Sequence, residues 1–260
     1  MTGVLYGIGV GPGDPELLTL KAVRKIQACD VIAVPGKDYR ESIAYGIAIR
    51  AVPEIQEKEC MGIVMPMTRD RKVLRECHER AAGQLAGLLD QGKQVGFLNL
   101  GDVTIYASYL YIHRRVAAMG YKTELINGVP SFCAAAARMG IGLVENSDQL
   151  HILSQPEQIE EGLKLSGTKV IMKMGKNMGQ ARSCLEKSGQ DVWMVENCGM
   201  PGERVCRNVG EIYENAGYYS LIIVKDKPGN GQKDNLMEGK RDKPMEGQED
   251  KPVERQEDEP

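Results

Sequence analysis

No apolar run in this 260-residue chain reaches the roughly 18 residues of a membrane-spanning helix, so no membrane partner is expected. The N-terminus lacks a basic stretch leading into an apolar core of the kind that directs secretion, and the expected location is the cytoplasm. Paired metal ligands are missing too. The seven cysteines (Cys29, Cys60, Cys77, Cys133, Cys184, Cys198 and Cys206) never form C-x-x-C, and the three histidines never form H-x-x-x-H. Zinc and iron–sulfur centres want ligands closely paired in sequence, so no metal site is expected and the cysteines read as reduced, buried thiols.

An excess of basic charge is also absent. Residues 229–260 hold 6 Lys and Arg against 10 Asp and Glu, which leaves 27 against 26 in the remainder of the chain. So neutral a body lacks the concentrated basic face that phosphate backbones require, and nucleic acid is not expected as a partner. The acidic end is an eight-residue repeat, MEGKRDKP, MEGQEDKP and VERQEDEP. Its charge and proline cannot bury enough apolar surface to offset ordering entropy, so 228–260 is predicted to be a disordered tail.

Two phosphate-binding signatures are missing from the glycine-rich opening, YGIGVGPGDPELLTLKA (6–22). A P-loop needs a Lys-Ser/Thr pair, which does not follow. The G-x-G-x-x-G fingerprint fails from Gly7, where its third glycine would be Pro12, and from Gly9, where it would be Asp14. Pro12 and Pro15 also remove two amide donors from the turn, contrary to the needs of a phosphate cradle. This loop therefore reads as built for close, mainly apolar approach by a ligand; a tight strand-to-helix turn is the alternative.

Strands and helices alternate through the chain, which predicts an α/β fold of two helix-flanked, largely parallel sheets with a ligand cleft between them. Domains are expected at 1–125 and 126–227, ahead of the tail. In the first, Val4–Val10, Val31–Val34, 95–100 and Thr123–Ile126 read as strands. Helices are expected at Thr19–Ala28, capped by Thr19 with Leu20, Val23 and Ile26 on one face, at Ser42–Val52, at Asp70–Gln91, and from Tyr106 to Met119. In the second, strands are expected at 150–153, 169–174, 192–197 and 220–226, with helices at 131–140, 157–165, 177–188 and 207–215.

Three segments carry a family likeness. GIGVGPGDPELLTLKA resembles the first signature of the tetrapyrrole methylases, the S-adenosylmethionine-dependent enzymes of cobalamin and siroheme synthesis. LNLGDVTIYASYLYIH (98–113) resembles their G-D-P-x-x-Y segment, with Val103 in place of proline. INGVPSFCAAAA (126–137) resembles their P-G-[IV]-[ST]-[SA] segment, with Asn127 in place of proline and Pro130 in place of the small hydroxyl residue. The resemblance runs from residue 3 to 226. LGDVTIY and SFCAAAAR are most like the branch that methylates precorrin-2, or its cobalt complex, at C20.

The resemblance implies a homodimer that holds S-adenosylmethionine between two α/β domains and releases S-adenosyl-L-homocysteine. It implies that Pro12, Leu100, Gly101, Asp102, Ile105, Pro130, Ser131, Met174 and Asn208 contact this donor. Asp102 and Tyr106 become, by position, candidates for a base that takes the displaced proton. The substrate, precorrin-2 or cobalt-precorrin-2, carries acetate and propionate groups that call for cations. Lys37, Arg40, Arg69, Arg71 and Lys176 are the candidates, with Arg69 and Arg71 in a segment that could fold over the cleft. The cysteine and methionine content suits an anaerobic cell and hence the cobalt substrate. The alternatives are a methylase for another ring position, a relative acting on a diphthine precursor or ribosomal RNA, and a tetrapyrrole-binding module without turnover.

Overall fold

β1 (Val4–Gly9) opens the chain, and the computed structural model describes it together with residues 2–66, 68 and 70–227. The expected tail at 228–260 and the candidate cation Arg69 lie outside the described residues. After β1 come α1 (Leu20–Ala28), β2 (Val31–Pro35), α2 (Ile43–Ala51), β3 (Glu59–Ile63), α3 (Arg71–Asp90), β4 (Val95–Asn99), α4 (Tyr109–Ala118) and β5 (Lys122–Ile126). The five strands form one parallel sheet in the order β3-β2-β4-β1-β5. α1 and α2 cover one face, over Ile8, Ile32 and Leu98, and α3 and α4 the other, over Leu5, Ala33 and Phe97. Covered on both faces, β4 is buried at every position, as its unbroken apolar run requires.

Local signals set most helix starts. The Thr19 hydroxyl accepts from Ala22 N at 3.1 Å, and the Asp70 carboxylate accepts from Lys72 N and Val73 N at 2.8 and 3.2 Å. The inward face of α1 differs from expectation. It runs through Ala22 and Ile26, four residues apart, which turns Leu20 out to solvent at 74% exposure.

The second sheet follows α5 (Ser131–Met139), through β6 (Leu150–Leu153), α6 (Ile159–Gly162), β7 (Thr168–Met172), α7 (Met178–Ser188), β8 (Asp191–Glu196), β9 (Arg204–Cys206) and β10 (Ser220–Lys225). Its order is β6-β7-β10-β8-β9. Here the expectation of a largely parallel sheet is corrected: only β6 and β7 run parallel, and the other three pairings are antiparallel. The expected helix at 207–215 is a single 3-10 turn at Val209–Glu211. A parallel crossover needs about a dozen residues, usually a helix. Residues 197–203, between β8 and β9, are too few for one, so β9 returns antiparallel beside β8; residues 207–219 then carry the chain across β8 to its other edge, where β10 runs antiparallel to both β8 and β7. The helix expected at 157–165 shortens to a 3-10 turn and the four residues of α6.

All seven cysteines are free thiols, but only Cys29 and Cys206 are buried, and Cys133 is exposed on the outer side of α5. Burial pushes the Cys29 thiol up to about 12 and the Cys198 thiol up to about 11, so neither is a thiolate nucleophile near neutral pH.

One charge sits within the second sheet. The Lys169 ammonium, fully buried, is paired with Asp226, whose carboxylate also accepts from Gly167 N at 2.8 Å and Gln190 Nε2 at 2.5 Å. Removing one partner strands a buried charge, whereas an apolar isostere removes the problem. Asp226 is itself 43% exposed, so Asp226→Ala should cost about 1–3 kcal/mol of unfolding free energy, less than for a fully buried pair, and Lys169→Met less still. Urea melts of the two variants check this; equal losses would contradict it.

Candidate functional site

The connections that leave the carboxyl ends of β1, β4 and β5 converge, as ligand-bearing loops of open α/β sheets do. Gly11 and Gly101 exchange two backbone hydrogen bonds, of 3.2 and 2.8 Å, and Val10 N donates to Asn99 O at 2.9 Å. At Gly9 the chains touch backbone to backbone: a Cβ there would lie 2.6 Å from Gly128 N and 2.7 Å from Gly101 O. Gly7 lies under the Tyr109 ring, and a Cβ on Gly13 would stand 2.1 Å from Cys198 O. The bare backbone at 7, 9 and 13 is thus taken up by packing within the protein itself.

Asp102 fastens the junction. Its Oδ1 accepts from Thr104 N at 2.7 Å and from the Thr104 hydroxyl; its Oδ2 accepts from Gly128 N at 2.9 Å and Asn127 Nδ2 at 3.2 Å. Burial pushes this carboxyl up, but the four donated hydrogen bonds outweigh it and hold the group below the usual carboxylate range. Such a carboxylate stays ionised and has little capacity to accept a proton. Asn127, which departs from the family signature, supplies one of the four donors.

The same loops reach the second sheet. Ile105, partly buried, packs against the cluster formed by Phe132, Ala135, Val195 and Ile223. α5 starts at Ser131 with Pro130 as its N-cap, so no side chain caps the helix. Tyr106 is not the first residue of a helix, as expected, but a loop residue at φ +49° before α4. Its side chain is 47% exposed; its hydroxyl donates to Ile152 O at 3.3 Å, and its carbonyl accepts from Lys173 Nζ at 3.4 Å. From α2, Arg50 Nη2 donates to Gly13 O at 2.5 Å, so the 12–14 turn is pinned between Arg50 and Cys198. Arg50 carried no motif that would have picked it out, and Lys173 lies in VIMKMGKN (170–177), a segment that resembles the family's second domain without marking this residue.

Of the expected donor contacts, Pro12, Leu100, Gly101, Asp102, Ile105, Pro130 and Ser131 belong to this junction. Met174 and Asn208 lie instead on the second sheet, each just before a 3-10 turn. Met174 is buried in the outer core of the second sheet, and its backbone lines a cleft of about 500 Å³ between residues 173–177 and 214–218. The Asn208 side chain is occupied at its own turn, where Oδ1 accepts from Glu211 N at 3.2 Å and Nδ2 donates to Glu211 Oε1 at 2.5 Å.

The candidate cations are scattered. Lys37 and Arg40 are exposed beyond β2, Arg40 lying 3.7 Å from Asp38 and over the Tyr39 ring. Arg71 is exposed on the first turn of α3, and Lys176 lines the cleft beside Met174. Among the described residues no three His, Cys, Asp or Glu side chains gather to hold a metal ion. No helix among them is long and apolar enough to cross a membrane.

A phosphate-free sulfonium donor fits this junction. Its amino-acid end needs polar backbone partners, and the uncapped α5 leaves first-turn amides beside Gly101 without a capping side chain. The Asp102 carboxylate is turned into the loops, where four donated hydrogen bonds hold it.

The sequence profile of the Tetrapyrrole (Corrin/Porphyrin) Methylases matches residues 4–212. The "Probable cobalt-precorrin-2 C(20)-methyltransferase" of Methanocaldococcus jannaschii is 32% identical over 85% of this chain and 95% of that protein. The precorrin-2 C(20)-methyltransferase of a Sinorhizobium species is 30% identical over 87% and 98%. Among solved structures, the uroporphyrin-III C-methyltransferase of Thermus thermophilus complexed with S-adenosylhomocysteine superposes with a TM-score of 0.59. It covers 86% of this chain and 97% of that one at 21% identity, a likeness of fold.

Proposed function

Because the chain belongs to the tetrapyrrole methylases, we propose that it is an S-adenosylmethionine-dependent methyltransferase acting at C20 of cobalt-precorrin-2 or precorrin-2 in cobalamin synthesis. The observation that carries this reading is the likeness, over nearly the whole chain, to relatives named for that reaction. On the same reading residues 1–125 and 126–227 are two domains; α5, just past that boundary, packs on the second sheet. The assembly is a cytoplasmic homodimer, which light scattering checks.

The donor supplies an electrophilic methyl on sulfur, which a meso carbon of the macrocycle takes with loss of a proton, leaving S-adenosylhomocysteine. The protein's task is placement. Holding two reactants in line can remove up to roughly 7–11 kcal/mol of barrier in well-aligned intramolecular cases. Pro12, Leu100, Gly101, Pro130 and Ser131 hold the donor through backbone, with Ile105 beside it. Met174 and Asn208 complete the pocket from the second sheet. Asp102 is a brace for these loops, in line with its four donated hydrogen bonds.

Tyr106 borders the junction and positions the acceptor. Tyr106→Phe deletes only the hydroxyl and its bond to Ile152 O. The expected kcat is within about threefold of the parent, against the 10²–10⁴-fold loss typical of a lost general base. Steady-state kinetics decide between them.

The test of the function is anaerobic incubation with methyl-labelled donor and each acceptor, with and without cobalt. The expected product is the macrocycle carrying one new methyl at C20, located by NMR. Label at another ring carbon would favour the other ring positions, and no incorporation would favour a binding module.

A further inference from the structure

Four non-glycine residues among those described adopt positive φ: Asn146, Asn197, Tyr106 and Lys173. Asparagine tolerates the left-handed region through its short polar side chain; tyrosine and lysine do not, and such backbones collect where function requires them. The two unusual residues touch each other. Lys173, at φ +62° just past β7, sends its ammonium to the Tyr106 carbonyl and over the Tyr106 ring, 5.2 Å from the centroid.

These are poor partners for a half-buried cation. The carbonyl is 3.4 Å away, and no carboxylate lies within 4.0 Å of Lys173 Nζ among the described residues. Burial accordingly lowers its pKa. Arg40 and Arg50, in contrast, are engaged with Asp38 and with Gly13 O. Lys173 also lines the 500 Å³ cleft, where Lys176 adds a second cation and Tyr218 an aromatic wall, set edge-to-face against Tyr219 at 5.3 Å. Glu214, on the facing wall, is the one acidic residue lining the cleft and steers an anion toward the lysines.

We propose that Lys173 receives a peripheral carboxylate of the macrocyclic acceptor, exchanging the Tyr106 carbonyl for it, and so sets which edge of the ring faces the donor. An ion-paired bond to a carboxylate replaces a long one to an uncharged carbonyl, and the contact with Tyr106 keeps the ammonium poised where the loop after β4 meets the second sheet. This makes Lys173 a specificity-determining residue, and the inference rests on the acceptor reading given above.

The experiment uses the full chain as parent, Lys173→Gln and Lys173→Arg. Acceptor KM and kcat are measured by methyl transfer, and S-adenosylhomocysteine affinity by calorimetry. Lys173→Gln is expected to raise acceptor KM about tenfold or more, with kcat within about threefold and homocysteine-product affinity unchanged; Lys173→Arg restores most of the loss. The parent's preference for free-acid over esterified acceptor should collapse in Lys173→Gln, because the two changes remove the same contact. Unchanged KM in a variant that still binds S-adenosylhomocysteine overturns the inference. So does an equal loss of product affinity, which would put the lysine on the donor, or a loss confined to kcat with a new limb in the pH profile. A parent that binds S-adenosylhomocysteine but methylates no tetrapyrrole overturns the acceptor reading, and this inference with it.

Discussion

Gly9→Ala is expected to lower the melting temperature by about 6–12 °C and to weaken S-adenosylhomocysteine binding by about a hundredfold or more. The new Cβ would sit 2.6 Å from Gly128 N and 2.7 Å from Gly101 O, and both obstacles are backbone held in place by neighbouring strands. No rotamer change relieves such a clash. Overpacking costs typically 1–3 kcal/mol, and a rigid backbone obstacle puts this case at the upper end. For a chain of this size about 3 kcal/mol corresponds to the shift stated. Donor affinity falls further than stability because the loops forced apart are those proposed to hold the donor. Gly87→Ala is the control: it lies within α3 with nothing inside 4 Å of its Cβ. It should gain about 0.5–1 kcal/mol from helix propensity. Differential scanning calorimetry of the pair, with and without S-adenosylhomocysteine, checks both.

The second large effect is expected at Asp102. Asp102→Ala deletes the acceptor of four hydrogen bonds and leaves Thr104 N and Gly128 N without it in a buried junction. The expected cost is about 3–5 kcal/mol, as for the loss of one partner in a buried charged network. Asp102→Asn keeps the shape but turns an amide donor toward one of those N–H groups. A brace and a base then differ in what they disturb. For a brace, stability, donor affinity and kcat fall together in Asp102→Asn. For a base, kcat alone falls, by about 10²–10⁴-fold.

Acid titration gives an independent reading. The Asp102 carboxyl titrates below its ordinary value of about 3.9 in the folded protein. Its contribution is therefore fully present above that value and lost as the pH falls through the lowered one. Asp102→Asn should show a flatter acid limb of stability against pH than the parent. Asp226, also lowered, remains in both proteins and cancels.

Much of this architecture could be read along the chain. The buried run 95–100, the Thr19 and Asp70 caps and the small-residue helix at 131–140 each follow a local rule that the fold respects. β3 was missed because Glu59–Ile63 carries a charge, a cysteine and a glycine; its partner strand, rather than its own pattern, makes it a strand. β9 is three residues long and pairs only with β8. The direction of β10 was not legible either, since it follows from the tertiary choice to insert between β7 and β8 and not from side-chain alternation.

The site divided along the same line. The three signatures located the loops, but what their glycines pack against is a tertiary fact: Gly9, Gly101 and Gly128 are far apart in sequence and meet only in the fold. For the same reason Asp102 could be read as a base until its four donors were visible. Nothing in the VIMKMGKN segment set Lys173 apart from its neighbours; its unusual backbone and its contact with Tyr106 exist only in three dimensions.

Calorimetric titration of the intact protein with S-adenosylhomocysteine tests the central claim, that these converging loops and the second sheet together hold a sulfonium donor in place. The account predicts saturable binding at one equivalent per chain, retained in Tyr106→Phe and weakened about a hundredfold or more in Gly9→Ala. Absence of binding to the folded parent, or undiminished binding in Gly9→Ala, would contradict it.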